Sequence, residues 1–115
     1  MIKRELKKMI KEAISDGRKG LLEDEAKALL SAYGIAVSKS VSGRWSGSSP
    51  QEIKNAISSL SPPLALKLLS PDIFHKSDVG GVVTNLEKEK EIRQAIIRIE
   101  NNVSKKSPRA KIAGF

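Results

Sequence analysis

Two short apolar segments, separated by a twelve-residue loop, constrain the fold of this chain more than any other feature. Residues 64–69 (LALKLL) and 82–86 (VVTNL) are apolar, partly β-branched and bounded by turn residues, which predicts two strands. The loop between them, residues 70–81, is longer than a hairpin requires, and long loops in compact domains are usually functional or disordered. Ile73 and Phe74 are apolar residues that disordered segments rarely contain. We therefore expect this histidine loop (residues 70–81) to be functional.

The polar residues of the histidine loop suit phosphate chemistry. His75, the only histidine of the chain, is of the type that acts as a general base or carries a phosphoryl group. Lys76 supplies a compact positive charge, and paired glycines, Gly80 and Gly81, allow backbone N–H groups to converge on an anion. Asp78 is close enough in sequence to fix the tautomer of His75. The alternative, a solvated loop whose glycines serve only the turn, is the simpler interpretation of composition alone, since short motifs often match by chance.

The exact sequence of the loop points to a family. Residues 71–82 (PDIFHKSDVGGV) resemble the signature loop of the ATP-grasp subunit or domain of ADP-forming acyl-CoA synthetases, such as acetate–CoA ligase. Residues 64–67 (LALK) resemble the strand of that family that ends in a nucleotide-binding lysine, and residues 21–35 (LLEDEAKALLSAYGI) resemble its opening helix. The resemblance extends from about Gly20 to the end of the chain. It implies the N-terminal subdomain of an ATP-grasp fold, which holds ATP between two subdomains.

The resemblance also implies roles for individual residues. Lys67 matches the lysine that reaches the nucleotide phosphates, the alternative being an edge-strand lysine that points into water. His75 matches the histidine implicated in passing a phosphoryl group between the ATP site and the CoA-ligase portion, as a phosphohistidine or through a close phosphate contact. The other residues expected to shape the loop and bind phosphate are Lys76, Ser77, Asp78, Gly80 and Gly81.

The cofactors and partners of the family extend beyond this chain. ATP and ADP are the implied nucleotides, and Mg²⁺ is expected in the complete enzyme with ligands outside this sequence. Because the chain stops within a predicted strand that ends at Phe115, we interpret it as a partial ATP-grasp domain. The implied partners are the missing C-terminal half of the ATP-grasp fold and a CoA-binding ligase subunit or domain.

Periodicity and capping residues predict an α+β fold. The predicted order is two N-terminal helices followed by a β-α-β-β-α-β split sandwich of the ferredoxin-like type, with residues 1–20 as a basic amphipathic helix and residues 21–115 as the partial ATP-grasp domain. Ser49 and Pro50 mark the start of a third helix. The predicted elements are helices ending near Gly17 and Gly34, a strand over 35–41, a helix over 50–60, strands over 64–69 and 81–86, a helix from Glu87 to Val103, and a last strand over 109–115.

Apolar residues at helical spacing predict which faces are buried. Trp45 is expected at the edge of the core rather than on a ligand. The predicted inner faces are Leu22, Ala26, Leu29, Leu30 and Tyr33 in the second helix, Ile53, Ala56, Ile57 and Leu60 in the third, and Ile92, Ala95, Ile96, Ile99 and Val103 in the fourth.

Half of the net charge of +8 comes from the first 20 residues, which hold seven basic and three acidic side chains. The helix predicted there has a basic face of Lys3, Arg4, Lys7, Lys8 and Lys11 opposite an apolar face of Ile2, Leu6, Met9, Ile10, Ala13 and Ile14. A basic face of this kind suits a non-enzymatic module that binds nucleic acid or an anionic partner. Only 3% of residues are aromatic, and none is interleaved with these cations for base stacking, which favours a solvated or docking face over nucleic-acid binding.

Length and composition exclude several other classes of protein. A chain of 115 residues has room for one domain with a modest core. No apolar run approaches the roughly 20 residues of a membrane-spanning helix. The absence of cysteine excludes a disulfide framework and thiolate chemistry, and a cytoplasmic location is the default expectation.

Overall fold

The computed structural model describes residues 3–115, which form two compact units, one ending at Ser40 and the other spanning Val41–Phe115. The first unit contains helices α1 (Lys3–Ser15) and α2 (Glu23–Ala32). The second contains α3 (Pro50–Ile57), β1 (Leu64–Lys67), a 3-10 turn (Lys76–Val79), β2 (Val82–Leu86) and α4 (Glu89–Lys106). This order confirms the predicted α+β class, whereas the predicted domain boundary at residue 20 stays a prediction. No helix within residues 3–115 is long and apolar enough to cross a membrane.

Helix α1 is amphipathic, as its sequence predicts. It ends near Gly17, which has a φ of +71°, and the N–H of Arg18 donates to the Ala13 carbonyl at 3.0 Å. Leu6 and Ala13 are buried, but Ile14 is 70% exposed, so the apolar face is only partly covered. Ile2 of that face lies outside the described residues. The predicted basic face is confirmed as exposed at Lys3, Arg4, Lys7, Lys8 and Lys11.

Helix α2 follows its predicted bounds but not its predicted burial. The N–H of Leu22 donates to Glu25 Oε1 at 2.8 Å at the start of the helix, and Gly34, with a φ of +79°, ends it. The predicted buried stripe is wrong: Leu22, Ala26 and Leu29 are only half-buried, and Leu30 and Tyr33 are 41% and 66% exposed. Leucine and tyrosine at helical spacing indicate a covered face only when a core exists to receive them, and a two-helix unit of this size offers a very small one.

The predicted strand over residues 35–41 is wrong. These residues belong to no strand, and Ile35 and Val37 are exposed. Alternating apolar and polar residues identify a segment that can be pleated, but a strand also needs a hydrogen-bonding neighbour. The residue that has such a neighbour is Gly43, which pairs with Phe115. The Gly43 N–H donates to the Phe115 carbonyl at 3.1 Å, and the Gly43 carbonyl accepts the Phe115 N–H at 2.8 Å.

The sheet of the second unit is an antiparallel pair. Leu66 of β1 lies opposite Val83 of β2, and the predicted strand over residues 81–86 is confirmed at Val82–Leu86. β1 ends at Lys67, earlier than predicted, and Leu69 pairs with Gly114 in an isolated bridge. The predicted last strand is wrong apart from this bridge and the two backbone hydrogen bonds between Phe115 and Gly43. The predicted four-stranded sheet is therefore reduced, within residues 3–115, to two strands and one bridge.

Helices α3 and α4 pack with the strand pair to form the core. Ser49 caps α3, because its Oγ accepts the Glu52 N–H at 3.3 Å, and Ile53 is 1% exposed. These observations confirm the predicted start of α3, although Ala56, Ile57 and Leu60 are only half-buried. Trp45 packs against the core edge, as predicted. The core cluster consists of Ile53, Leu66, Leu68, Ile73, Leu86, Ile92, Ala95, Ile96, Ile99, Val103 and Phe115, which includes every residue of the predicted inner face of α4.

Candidate functional site

The histidine loop leaves β1 and returns to β2, so both of its ends lie at one end of the strand pair. Lys67, the last residue of β1, is opposite Val82, the first residue of β2. The N–H of Leu68 donates to the Gly81 carbonyl at 2.9 Å, which continues the pairing into the loop. The exposed residue Lys67 therefore lies at the base of the loop, beside the residue where the loop ends.

The first half of the histidine loop is fastened to the core and to the C-terminal segment. Ser70 is buried, and its Oγ accepts the N–H of Asp72 at 3.1 Å. The carboxylate of Asp72 in turn accepts the backbone N–H of Lys111 at 2.7 Å. Ile73 is buried in the core cluster. These contacts fix the chain up to the residue before Phe74.

The second half of the loop is a 3-10 turn closed by its own hydrogen bonds. The N–H of Gly80 donates to the Ser77 carbonyl at 3.2 Å, and the N–H of Gly81 donates to the Lys76 carbonyl at 2.7 Å. Gly80 is left-handed, with a φ of +67°, which favours glycine. Both glycine N–H groups are thus used inside the loop. Phosphate binding by Gly80 and Gly81 stays a prediction, and in this conformation it would require those bonds to open.

Helix α4 holds the turn from the other side. Asn102 Nδ2 donates to the Gly80 carbonyl at 3.0 Å, and Lys106 Nζ lies 3.4 Å from the Asp78 carbonyl oxygen. Neither Asn102 nor the Asp72–Lys111 contact was predicted from the sequence. These contacts join residues 22 and 39 positions apart, and no local pattern indicates them.

The tip of the loop is exposed between these two attachments. Phe74 is 60% exposed, and His75, Ser77 and Asp78 are also exposed, whereas Lys76 is half-buried. The N–H of Asp78 donates to the His75 carbonyl at 3.1 Å. No hydrogen bond within residues 3–115 joins the His75 imidazole to the Asp78 carboxylate, so the predicted fixing of the tautomer is not formed here. The arrangement presents an imidazole to solvent, with a lysine and a hydroxyl in the same turn.

An ion pair in the first unit shifts the pKa of its carboxylate. Arg18 contacts Glu25 with two hydrogen bonds, 2.5 Å from Nη1 to Oε1 and 3.1 Å from Nη2 to Oε2. The Arg18 guanidinium holds the pKa of Glu25 below its usual range, and the Leu22 N–H acts in the same direction. This ion pair connects the segment after α1 to the first turn of α2, so its role is structural.

A metal site is not formed by the described part of the chain. Within residues 3–115, no group of three histidine, aspartate or glutamate residues is placed to hold a metal ion. The positive charges of Lys67 and Lys76 and the Ser77 hydroxyl are the groups of the site that fit phosphate oxygens.

Known proteins are similar to this chain in sequence and in fold. The sequence pattern of the ATP-grasp domain family matches residues 12–115. The chain therefore belongs to the ATP-grasp domain family. The β subunit of acetate–CoA ligase (ADP-forming) II from Pyrococcus furiosus is 34% identical over 113 residues, covering 98% of this chain and 46% of the subunit. The predicted resemblance of the chain to the ATP-grasp subunit of ADP-forming acyl-CoA synthetases is confirmed.

Solved structures show the same fold. A Pyrococcus horikoshii protein superposes with a TM-score of 0.82 at 34% identity, covering 98% of this chain and 46% of that protein. An acetyl-coenzyme A synthetase from Ca. Korarchaeum cryptofilum, solved with coenzyme A and Mg-AMPPCP, superposes with a TM-score of 0.66 at 39% identity, covering 85% of this chain and 42% of that one. Its phosphohistidine segment points towards the nucleotide-binding site. The chain spans less than half the length of each of these relatives.

Proposed function

We propose that this chain is the N-terminal part of the ATP-grasp portion of an ADP-forming acyl-CoA synthetase, and that its histidine loop handles a phosphoryl group. The complete enzyme would convert acyl-CoA, ADP and phosphate reversibly into the acid, CoA and ATP. The observation that carries the proposal is the exposed imidazole of His75 on a turn held from two sides, by Asp72 with Lys111 and by Asn102 with Gly80. A loop that only connects two strands does not need such contacts.

The proposed role of His75 is to accept and return the phosphoryl group. A neutral ring nitrogen attacks the phosphorus, an N–P bond forms as the P–O bond to the leaving oxygen breaks, and the other ring nitrogen keeps its proton. Lys76 and the Ser77 hydroxyl follow His75 in the same turn, where a positive charge and a donor stabilise the phosphoryl oxygens. Asp78 and the two glycines act in this proposal mainly by shaping the turn.

The proposed role of Lys67 is to hold the phosphates of ATP or ADP. It lies at the base of the loop, and a lysine there offsets negative charge and positions the phosphates. The nucleotide, when bound, supplies or accepts the terminal phosphoryl group. Mg²⁺ would be held by residues outside this chain, and the proposed partners are the remainder of the ATP-grasp fold and a CoA-binding ligase subunit. A cytoplasmic location stays a prediction.

Isotope labelling tests this proposal. The chain is co-expressed with the C-terminal remainder of the Pyrococcus furiosus β subunit and its ligase partner, and the assembly is incubated with Mg-ATP labelled at the γ-phosphate. Because His75 is the only histidine here, acid-labile label on this chain that His75→Asn abolishes is assigned to it. We expect label that is chased into ATP by ADP and is absent from His75→Asn. An assembly that makes ATP from acyl-CoA without ever labelling this chain would overturn the proposed role of His75.

A further inference from the structure

We infer that Asn102 is a positioning residue for the phosphoryl-handling histidine, because it fixes the turn that presents His75. The inference rests on the proposed function of the histidine loop and adds to it a residue outside the loop. Asn102 lies on α4, and it acts on His75 through Gly80 rather than by touching a phosphoryl group.

The contact is made from a rigid part of the molecule. Asn102 lies between Ile99 and Val103, which are 0% and 3% exposed, so the core anchors the backbone on both sides of it. Its Nδ2 donates to the Gly80 carbonyl at 3.0 Å, and the residue itself is half-buried. A side chain supported in this way can hold its partner in one geometry.

Outside contacts add to the support that the turn gives itself. A 3-10 turn of four residues makes hydrogen bonds of poorer geometry than an α-helix does, so a contact from a rigid neighbour adds to its stability. Lys106 contributes little, since it is exposed and its 3.4 Å contact is near the limit for a hydrogen bond. Gly80 sits at the end of the turn, so fixing its carbonyl fixes that end.

The first half of the loop is held independently of Asn102. Asp72 accepts the Lys111 N–H, and Ile73 is buried in the core. The residues between Ile73 and Gly80, among them His75, are therefore supported at one end by Ile73 and at the other by Asn102 and by Val79, which packs against the core. Loss of the Asn102 donor should loosen the turn around His75 and leave the strand pair and α4 intact.

The variant Asn102→Asp tests the inference, because it keeps the shape of the side chain and replaces the amide donor by an acceptor facing a carbonyl oxygen. Asn101→Asp, at the exposed neighbouring position, makes the same chemical change without that contact. Backbone order is measured by ¹⁵N relaxation on the full chain. We expect order parameters over residues 76–80 to fall from about 0.85 to below about 0.6 in Asn102→Asp only. Values in β1, β2 and α4 should not change, and Asn102→Gln, which keeps an amide donor, should restore part of the order.

A second measurement needs no variant. In the unmodified chain, the side-chain amide protons of Asn102 should exchange with solvent about tenfold more slowly than those of Asn101, as a hydrogen bond of ordinary net strength requires. Equal exchange rates would overturn the inference even if Asn102→Asp failed to fold.

These results are separable from the test of the proposed function. A turn that stays ordered in Asn102→Asp refutes the positioning role, whether or not His75 takes label from ATP. If the turn loosens in that variant but His75 is never labelled, the Asn102–Gly80 contact is supported and the phosphoryl-handling role of His75 is refuted.

Discussion

Asn102 and Gly80 are fitted closely to each other. The Nδ2 of Asn102 lies 3.0 Å from the Gly80 carbonyl oxygen, and a Cβ atom at Gly80 would lie 2.5 Å from the same nitrogen. Gly80 also has a φ of +67°. Glycine is therefore required at this position both by backbone conformation and by the space that Asn102 leaves.

Replacing Gly80 by alanine should destabilise the chain in two ways. The left-handed conformation costs a non-glycine residue about 1 kcal/mol, and displacement of Asn102 should cost about 1 kcal/mol more through its lost hydrogen bond. Gly47→Ala is the matched control, because Gly47 has a φ of +69° and nothing within 4 Å of an added Cβ. Urea unfolding should show the larger loss for Gly80→Ala. Equal losses would mean that the Asn102 contact contributes nothing.

The ion pair of Arg18 and Glu25 predicts how the first unit responds to acid. The pKa of Glu25 is lowered by its hydrogen bonds from Arg18, so the carboxylate binds protons less readily in the folded than in the unfolded chain. Its contribution is therefore complete above the unfolded pKa of about 4.3 and is lost as the pH falls through the lower, folded value. At neutral pH, we expect a partly buried bidentate pair to contribute about 1 kcal/mol.

Hydrogen exchange of the α2 amides, compared between pH 7 and pH 3, tests this dependence. Glu25→Gln should lose protection at pH 7 and show less additional loss at pH 3 than the unmodified chain. Glu12→Gln, at an exposed position of α1, is the control and should behave like the unmodified chain. If Glu25→Gln retained the full pH dependence, another group would have to be responsible.

Lys67 should matter for nucleotide affinity and little for folding. Because it is exposed at the base of the histidine loop, Lys67→Ala removes a charge near the proposed phosphate site without opening a cavity. We expect Mg-ATP affinity of the reconstituted assembly, measured by calorimetry, to fall by about tenfold or more, as for loss of a charge-assisted hydrogen bond. Lys54→Ala on the exposed face of α3 should leave it unchanged. Equal affinities in the two variants would remove Lys67 from the site.

The exposed cations of α1 allow a test of the alternative nucleic-acid function. If they form a solvated or docking face, duplex DNA should bind weakly. The logarithm of its affinity should fall steeply and linearly with the logarithm of the salt concentration. Fluorescence anisotropy with two unrelated duplexes at physiological salt measures this. Tight binding that differs between the two sequences would favour the basic-module hypothesis over the synthetase.

The sequence predicted the helices of the second unit better than its strands. Ser49 and Pro50 specify a helix start locally, and the spacing from Ile92 to Val103 specifies a buried face within one helix. A strand depends on a partner elsewhere in the chain, which explains why alternation from residue 35 onward misplaced the pairing that forms at Gly43.

The sequence motif located the candidate site, but it did not indicate the contacts that hold the histidine loop in place. The residues around His75 identified the loop because they form a specific family signature. The contacts of Asn102 with Gly80 and of Asp72 with Lys111 join distant parts of the sequence, and they depend on how α4 and the C-terminal segment pack. The burial predicted for Leu30 and Tyr33 failed for a related reason, since helical spacing does not show whether a core is present to cover them.

The most direct test of the account is the activity of His75→Asn in the assembly reconstituted with the remaining ATP-grasp half and a ligase partner. Asparagine keeps some hydrogen bonding but cannot carry a transferable phosphoryl group. CoA-dependent ATP formation should fall below detection, while Mg-ATP affinity and unfolding midpoint stay near those of the unmodified assembly. If His75→Asn retained most of its activity, the loop would be a structural turn and the proposed phosphoryl transfer through His75 would be contradicted.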